Sequence, residues 1–360
     1  LTDERVVSGT NTAFTDSENA DLSTLLKDMQ EKIILPGRLP PKQRKLIFDP
    51  SKRAFLEQNP IVIEVDGADH RFTSLDSHKD IPRSRTVLFS AVEKMKTQQD
   101  WDKLSSILSG YKKAGIKLKQ DELSKIVRVA CREGYVSSII ECAKQAERTG
   151  LYIADREKLG YIFQALCTKI AEVMAAGVEG PASVAKIEQA VKRAEQVLDV
   201  IQRPLHMDHN KHTGPVRNDL HYSLVARGMF LYARAALAQA KQKAGQAATA
   251  ELTQLQDEVR VLRSLWEPFE GKDVSAVREF AHLNAENDPK FAMSPPLYSR
   301  SICWTIKAVE LAKNLSIAEA ADLSPVTSAL ESHLGALAKS SKKATFAETY
   351  ESVVGRKPTW

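Results

Sequence analysis

An all-α fold built from stacked helix pairs is what this sequence predicts, and three observations carry the prediction. The chain nearly superimposes on itself when slid by 35 residues. Tyr111 to Leu118 lines up with Ala146 to Ile153, while Leu88, Ala91, Val92, Leu104 and Ile107 line up with Leu123, Ile126, Val127, Ile139 and Cys142. A fixed period of a few tens of residues marks supersecondary units too thin to bury an apolar face alone, so neighbours must stack. Both copies then reach a glycine, Gly115 and Gly150, the residue that commonly closes a helix in the left-handed conformation. Composition agrees: aromatics are only 6% of the chain, while Ala, Leu, Lys, Glu and Gln abound, a bias toward helix.

The elements follow in order. Residues 1–60 read as an extended N-terminal arm. Its first thirty residues form a polar leader, with one short helix over Asp21–Ile34 ended by Pro36-Gly37. Pro36, Pro40, Pro41, Pro50 and Pro60 then stand among Lys and Arg, and repeated prolines disfavour helix because each fixes φ and lacks a donor. Residues 61–80 hold a β-hairpin and linker: Ile61 to Val65 is a β-branched run, Asp66-Gly67 signals the turn, and Ala68 and Asp69 lengthen the loop.

Residues 81–202 are the repeat region, an α-solenoid of helix pairs. The pairs are Ser84–Gln98 with Asp100–Ala114, Asp100 capping the second helix, and Asp121–Glu133 with Val136–Thr149. Longer helices follow over Arg156–Ala176 and Ala182–Gln202. Residues 203–215 form a polar, His-rich loop, and 216–339 a C-terminal helical domain. Its helices are expected at Val216–Ala244, Thr249–Trp266, Asp273–Ala285, Pro296–Asn314 and Ser316–Lys339. Residues 340–360 are a basic-polar tail around one helical turn, whose terminal Trp360 hints at a docked C-terminus.

Several function classes are disfavoured. At 360 residues the chain exceeds one ordinary core, and its 43% apolar and 27% charged residues suit a folded protein. The four cysteines, Cys131, Cys142, Cys167 and Cys303, lie in helical patterns without C-x-x-C spacing, so reduced thiols packed in the core are expected. No run of 18 apolar residues offers a membrane span. The chain opens at Leu1, which suits a processed product. No P-loop, dinucleotide fingerprint or nucleophile elbow is present, and no catalytic residue, cofactor or small-molecule substrate is expected. Trp101, Trp266 and Trp304 read as core packing.

Two basic clusters point to a polyanion. Net charge is +5, but Glu31 to Leu56 holds seven Lys/Arg against two acids. There Arg38, Lys42, Arg44, Lys45, Lys52 and Arg53 offer point or forked charges for phosphates, with Phe48 and Phe55 to anchor the arm or stack on a base. The bland alternative is a solvated linker. A second cluster, Lys112, Lys113, Lys117 and Lys119, with Lys125 and Arg128 beyond it, lies at a helix end and turn. That placement suits a polyanion stripe or ordinary complementation of the helix dipole. His206, His209 and His212, with Asp208 and His221, raise a zinc site. Their setting between Pro204 and Gly214-Pro215, without a His-Glu-x-x-His helix, favours a polar loop touching RNA or protein, and no metal.

The unit closed by Gly115-Ile116-Lys117-Leu118-Lys119 and by Gly150-Leu151-Tyr152-Ile153-Ala154 resembles the pentatricopeptide repeat family over roughly residues 84–155. Leu118 and Ile153 stand where that family usually has proline, and Lys119 and Ala154 where it carries Asp or Asn, so the resemblance implies no base-by-base code. With the arm Leu35 to Lys45 and the hairpin, the whole chain resembles accessory proteins of the fungal-type mitochondrial ribosome. The resemblance implies a non-catalytic structural component in the mitochondrial matrix, with ribosomal RNA and other ribosomal proteins as partners. A free organellar factor for mRNA processing or translation, and a protein-only adaptor solenoid, remain the alternatives.

Overall fold

The computed structural model describes residues 18–65, 68–76, 83–178, 180–207, 220–283, 294–340 and 345–360. The chain divides into two compact units, Leu1–Leu151 and Tyr152–Trp360. Both are helical, apart from one two-stranded antiparallel sheet in the first.

The described part of the N-terminal segment is largely helical, which corrects the extended arm beyond Ile34, while the short helix expected over Asp21–Ile34 is present. Helix α1 (Ala20–Asp28) starts at Asn19, whose side chain accepts from the N–H groups of Asp21 and Leu22 at 3.1 and 3.3 Å. It runs on through a π-helical turn, Met29–Ile34, into α2 (Leu35–Arg38). Pro36 does not end the helix. The Leu35 N–H reaches back five residues to the Gln30 carbonyl, and this wider turn carries the chain past a proline whose ring would crowd a regular one. After an extended Leu39 come α3 (Pro41–Ile47), a 3₁₀ turn over Pro50–Lys52 and α4 (Arg53–Gln58). Pro41 and Pro50 occupy first helical positions. There the missing N–H would have had no partner and the fixed φ is already helical. These two prolines start helices.

Strands β1 (Ile61–Val65) and β2 (Ala68–Phe72) pair in register from Ile61↔Phe72 to Val65↔Ala68. Ala68 and Asp69 therefore belong to the ladder, not to a long loop. The sheet's inner residues Ile61, Ile63 and Phe72 close a small core with Leu35, Leu39, Ile47 and Leu56, and Phe48 and Leu75 pack against it. The Leu75 N–H donates to the Ile47 carbonyl at 2.8 Å, tying the hairpin to the end of α3.

The repeat region of this unit comprises α5 (Ser84–Lys94), α6 (Gln98–Asp102), α7 (Leu104–Lys113), α8 (Gln120–Arg132), α9 (Val136–Lys144) and α10 (Ala146–Thr149). All five aligned apolar pairs are buried, so the sequence period is a period of core positions. Gly115 and Gly150 have φ of +80° and +75°, as the closing role requires. The cap of α6 is Thr97, in a reciprocal capping box with Asp100, rather than Asp100 itself.

In the second unit α11 (Arg156–Ala175), α12 (Pro181–Val200) and α13 (Pro204–Met207) precede α14 (Leu224–Lys243). Then come α15 (Thr249–Trp266), α16 (Arg278–Leu283), α17 (Pro295–Asn314), α18 (Ser324–Ser340) and α19 (Thr345–Val354). Helix α14 packs against α11, α12, α15 and α17. It approaches α17 so closely that a Cβ on Gly228 would overlap Thr305. Its start is capped from afar: Glu279 accepts from the Leu224 N–H at 2.8 Å and from the Ser223 hydroxyl. The C-terminal tail holds a ten-residue helix rather than one turn. Trp360 packs edge-on against Tyr350 at 4.9 Å, and Arg356 pairs with Glu310 at 2.9 Å. This is the docked end that the terminal Trp hinted at.

Candidate nucleic-acid interface

Within the first unit, one residue from each basic cluster comes beside a common contact, which linear sequence could not reveal. Gly37 lies directly on Ala114: a Cβ at position 37 would overlap the Ala114 side chain and backbone. A Cβ on Gly110 would likewise come 2.7 Å from Ile34 Cδ1. These two glycines let the end of α2 sit against α7, so Arg38, one residue past the contact, and Lys113, one residue before it, flank a common seam. No sequence motif announces this, because both glycines lie in stretches that read as ordinary loop and helix.

Helix α3 carries the most available charge. Its inner side, ending at Ile47, is held in the small core, while Lys42, Arg44 and Lys45 are exposed. None of the three is ion-paired among the described residues. Arg38 is half-buried, with its Nε enclosed and unpartnered there. Beyond α3, Lys52 lies beside Asp49, whose carboxylate is held below its usual range chiefly by hydrogen bonds from Ser51. Arg53 pairs with Glu57 at 3.2 Å on an exposed helix face, an arrangement worth only a few tenths of a kcal/mol. Phe55 is 54% exposed, whereas Phe48 packs on the core, so the structure separates the two aromatics that sequence grouped together.

The second cluster is divided in its use. Lys112 donates to the Glu147 carbonyl one repeat later, a structural tie between the pairs. Lys113, Lys117 and Lys119 are exposed. The turn that presents the last two is braced by Arg85, which donates to the Lys117 carbonyl at 3.1 Å and pairs with Glu122 at 2.7 Å. Lys125 is drawn to Glu93 at 3.4 Å and lies 4.4 Å over the Phe89 ring, so the stripe does not continue through it. What remains are exposed cations on α3 and on the α7–α8 turn, with Arg38 and Lys113 beside the Gly37–Ala114 contact.

Other sequence-level candidates resolve differently. His206 is buried, and its Nδ1 accepts the Ile153 N–H at 3.1 Å, with Tyr152 edge-on at 6.0 Å. It is a core histidine, which corrects its reading as part of an exposed polar loop. The His221 carbonyl accepts from Arg227 Nε at 2.8 Å, and His209, His212 and Asp208 lie outside the described residues. Among the described residues no cluster of His, Cys, Asp and Glu suits a metal, and no helix is long and apolar enough to cross a membrane. All four cysteines are buried free thiols, and burial pushes that of Cys303 up to about 12. Trp101, Trp266 and Trp304 are buried, as expected of core residues.

The second unit holds several of its charged groups inside. Arg227 Nη1 donates to both Glu258 carboxylate oxygens at 3.1 Å, and both groups are buried. Burial nevertheless raises the Glu258 carboxyl, with Arg227 opposing the shift. Lys307 donates to the Val353 carbonyl at 2.6 Å, and burial lowers its pKa. A cavity of about 620 Å³ lies beside Asp273, Ser332 and His333. His333 is engaged by the Tyr298 hydroxyl at 2.7 Å, and burial lowers its pKa.

Comparison with known proteins supplies the context for these surfaces. A family model described as Mrp13, mitochondrial ribosomal protein mS27, matches residues 2–356. The chain is also similar to a Neurospora crassa protein called small ribosomal subunit protein mS27. The two are 23% identical over 312 residues, covering 84% of this chain and 76% of that one.

Proposed function

Because this chain belongs to the mitochondrial ribosomal protein mS27 family, we propose that it is a structural component of the small mitochondrial ribosomal subunit, working in the matrix. It binds ribosomal RNA through α3 and the α7–α8 turn, and neighbouring proteins through its helical body. Family membership makes the chain a ribosomal protein rather than an enzyme. The helix pairs of residues 84–155 are read as pentatricopeptide-type units serving as scaffold, since the closing glycines and buried positions recur at one offset.

The observation that carries the RNA reading is the state of Lys42, Arg44 and Lys45. Three exposed cations, unpaired among the described residues, project from a helix whose other side is anchored in a core. Phosphate neutralisation by such groups releases counterions and makes binding fall steeply with salt. The folded segment also changes the mechanism expected of an arm. A disordered tail loses about 1–2 kcal/mol per residue in backbone entropy on ordering. A helix already seated on a hairpin core has met that cost within its own fold.

The test is replacement of Lys42, Arg44 and Lys45 together by Ala, followed by sedimentation of organelle extracts at low and raised salt. The wild type is expected to comigrate with one ribosomal subunit near stoichiometry and to survive moderate salt. The variant is expected to leave that fraction as salt rises, with its helix content unchanged. Equal retention of both proteins at every salt concentration would remove the RNA role of α3. A wild type that sediments slowly would instead favour a free RNA-processing factor.

A further inference from the structure

Among the described residues, strand β1 has an open edge. The sheet has two strands among the described residues, and no backbone hydrogen bond joins Ile61–Val65 to any described residue outside β2. Such an edge presents unpaired N–H and C=O groups to any chain that can lie alongside. Proteins usually blunt it with a proline, a lysine or a bulge. β1 reads Ile-Val-Ile-Glu-Val, follows Pro60, carries one charge at Glu64 and no lysine or bulge, and pairs with β2 in unbroken register. Its inner side chains are committed to the core with Leu35, Ile47 and Leu56. Its outer face is free, with Val62 50% exposed opposite Arg71, and Glu64 opposite Asp69.

That last pair is unfavourable as it stands. Like charges directly across a ladder destabilise it, and neither carboxylate is ion-paired among the described residues. We infer that the β1 edge takes up an extended segment of a neighbouring protein as a third strand, with an apolar side chain opposite Val62 and a Lys or Arg opposite Glu64. Main-chain bonds along the edge supply the affinity, and the alternating side chains select the partner. A cation beside Glu64 relieves the repulsion from Asp69, whereas an RNA phosphate there would add to it. The hairpin thus selects a basic peptide, while α3 in the same segment selects phosphate. This inference rests on the ribosomal placement of the chain but not on α3 binding RNA.

The test is photo-crosslinking within intact mitochondrial ribosomal particles, with benzoylphenylalanine replacing Val62 and crosslinked species identified by mass spectrometry. The expected product is one protein segment in which apolar residues alternate with Lys or Arg. In the E64K/D69K double variant that crosslink should fall on the order of tenfold per particle-bound chain. Helix content and melting temperature should be unchanged, since both side chains are exposed. If the charge reversal unfolds the hairpin, E64Q/D69N serves instead, with an expected drop of about threefold. The K42A/R44A/K45A variant that remains bound at low salt should keep the crosslink, which separates failure of this inference from failure of the RNA reading. A crosslink to RNA, no protein crosslink in particles that contain the chain, or an undiminished yield in the charge variants would overturn it.

Discussion

The N-terminal segment and the second unit differ in how they place some of their charges. In the second unit certain ionised groups are buried: Arg227 Nη1 donates to both oxygens of buried Glu258, and Glu279 caps the start of α14. In the segment from α2 to α4, apolar side chains alone form the core, and Lys42, Arg44 and Lys45 face solvent. Charges that neutralise one another inside a fold belong to its stability. Charges held outward without partners belong to whatever the protein meets. On the proposed function the second unit serves as scaffold and the first segment as contact, and that contrast can be broken at either end.

The largest effect is expected at the buried pair. Arg227→Ala leaves Glu258 buried without its cation and should lower unfolding free energy by about 3–5 kcal/mol, read by urea denaturation. The pH dependence has a definite sign. The folded-state carboxyl is already raised by burial, and loss of Arg227 raises it further. A group with a raised folded pKa contributes stability that is present below its unfolded value and lost as pH rises through the folded one. The deficit of the variant should therefore be smaller near pH 4 than at pH 7. An equal deficit at both would mean that Glu258 is not the group left stranded.

Next in size are the glycines. Gly228→Val drives a Cβ and its methyl groups against Thr305 and should cost about 1–3 kcal/mol through overpacking. Gly115→Val meets nothing within 4 Å, so its expected loss of about 1–2 kcal/mol comes from the positive φ alone. Thermal melts of the two variants separate contact from conformation. Gly115→Ala should retain most of the second penalty, whereas Gly228→Ala should relieve part of the first.

The smallest stability effect is expected where the functional effect is greatest. Lys42, Arg44 and Lys45 changed together to Ala should alter unfolding free energy by no more than about 0.5 kcal/mol. The same change should reduce the slope of log binding against log salt by roughly 2–3 units. A large loss of stability would show that these cations serve the fold, and the contrast between the two regions would fail.

Much of the helical body was legible in the sequence because period and closing glycine are local signals. The 35-residue offset, the left-handed Gly115 and Gly150, and the starts of α8, α11 and α15 all follow from residues close together in the chain. What was not legible depends on contacts or on a change of role. Pro41 and Pro50 read as breakers because a proline's effect depends on whether it sits inside a helix or at its first turn, and Pro36 because a π turn ahead of it is not visible in sequence. His206 looked like one of a polar group until the fold placed its ring under the Ile153 N–H. In the basic site, residue types were legible but their meeting was not. It hangs on Gly37 and Gly110, whose value lies in the side chain they lack.

The most direct test is to map RNA–peptide crosslinks across the whole chain in ultraviolet-irradiated mitochondrial ribosomal particles. The account predicts crosslinked peptides from residues 38–55 and 112–119, and few from residues 152–360. Crosslinks confined to the second unit, with the α3 peptides recovered unmodified, would contradict it.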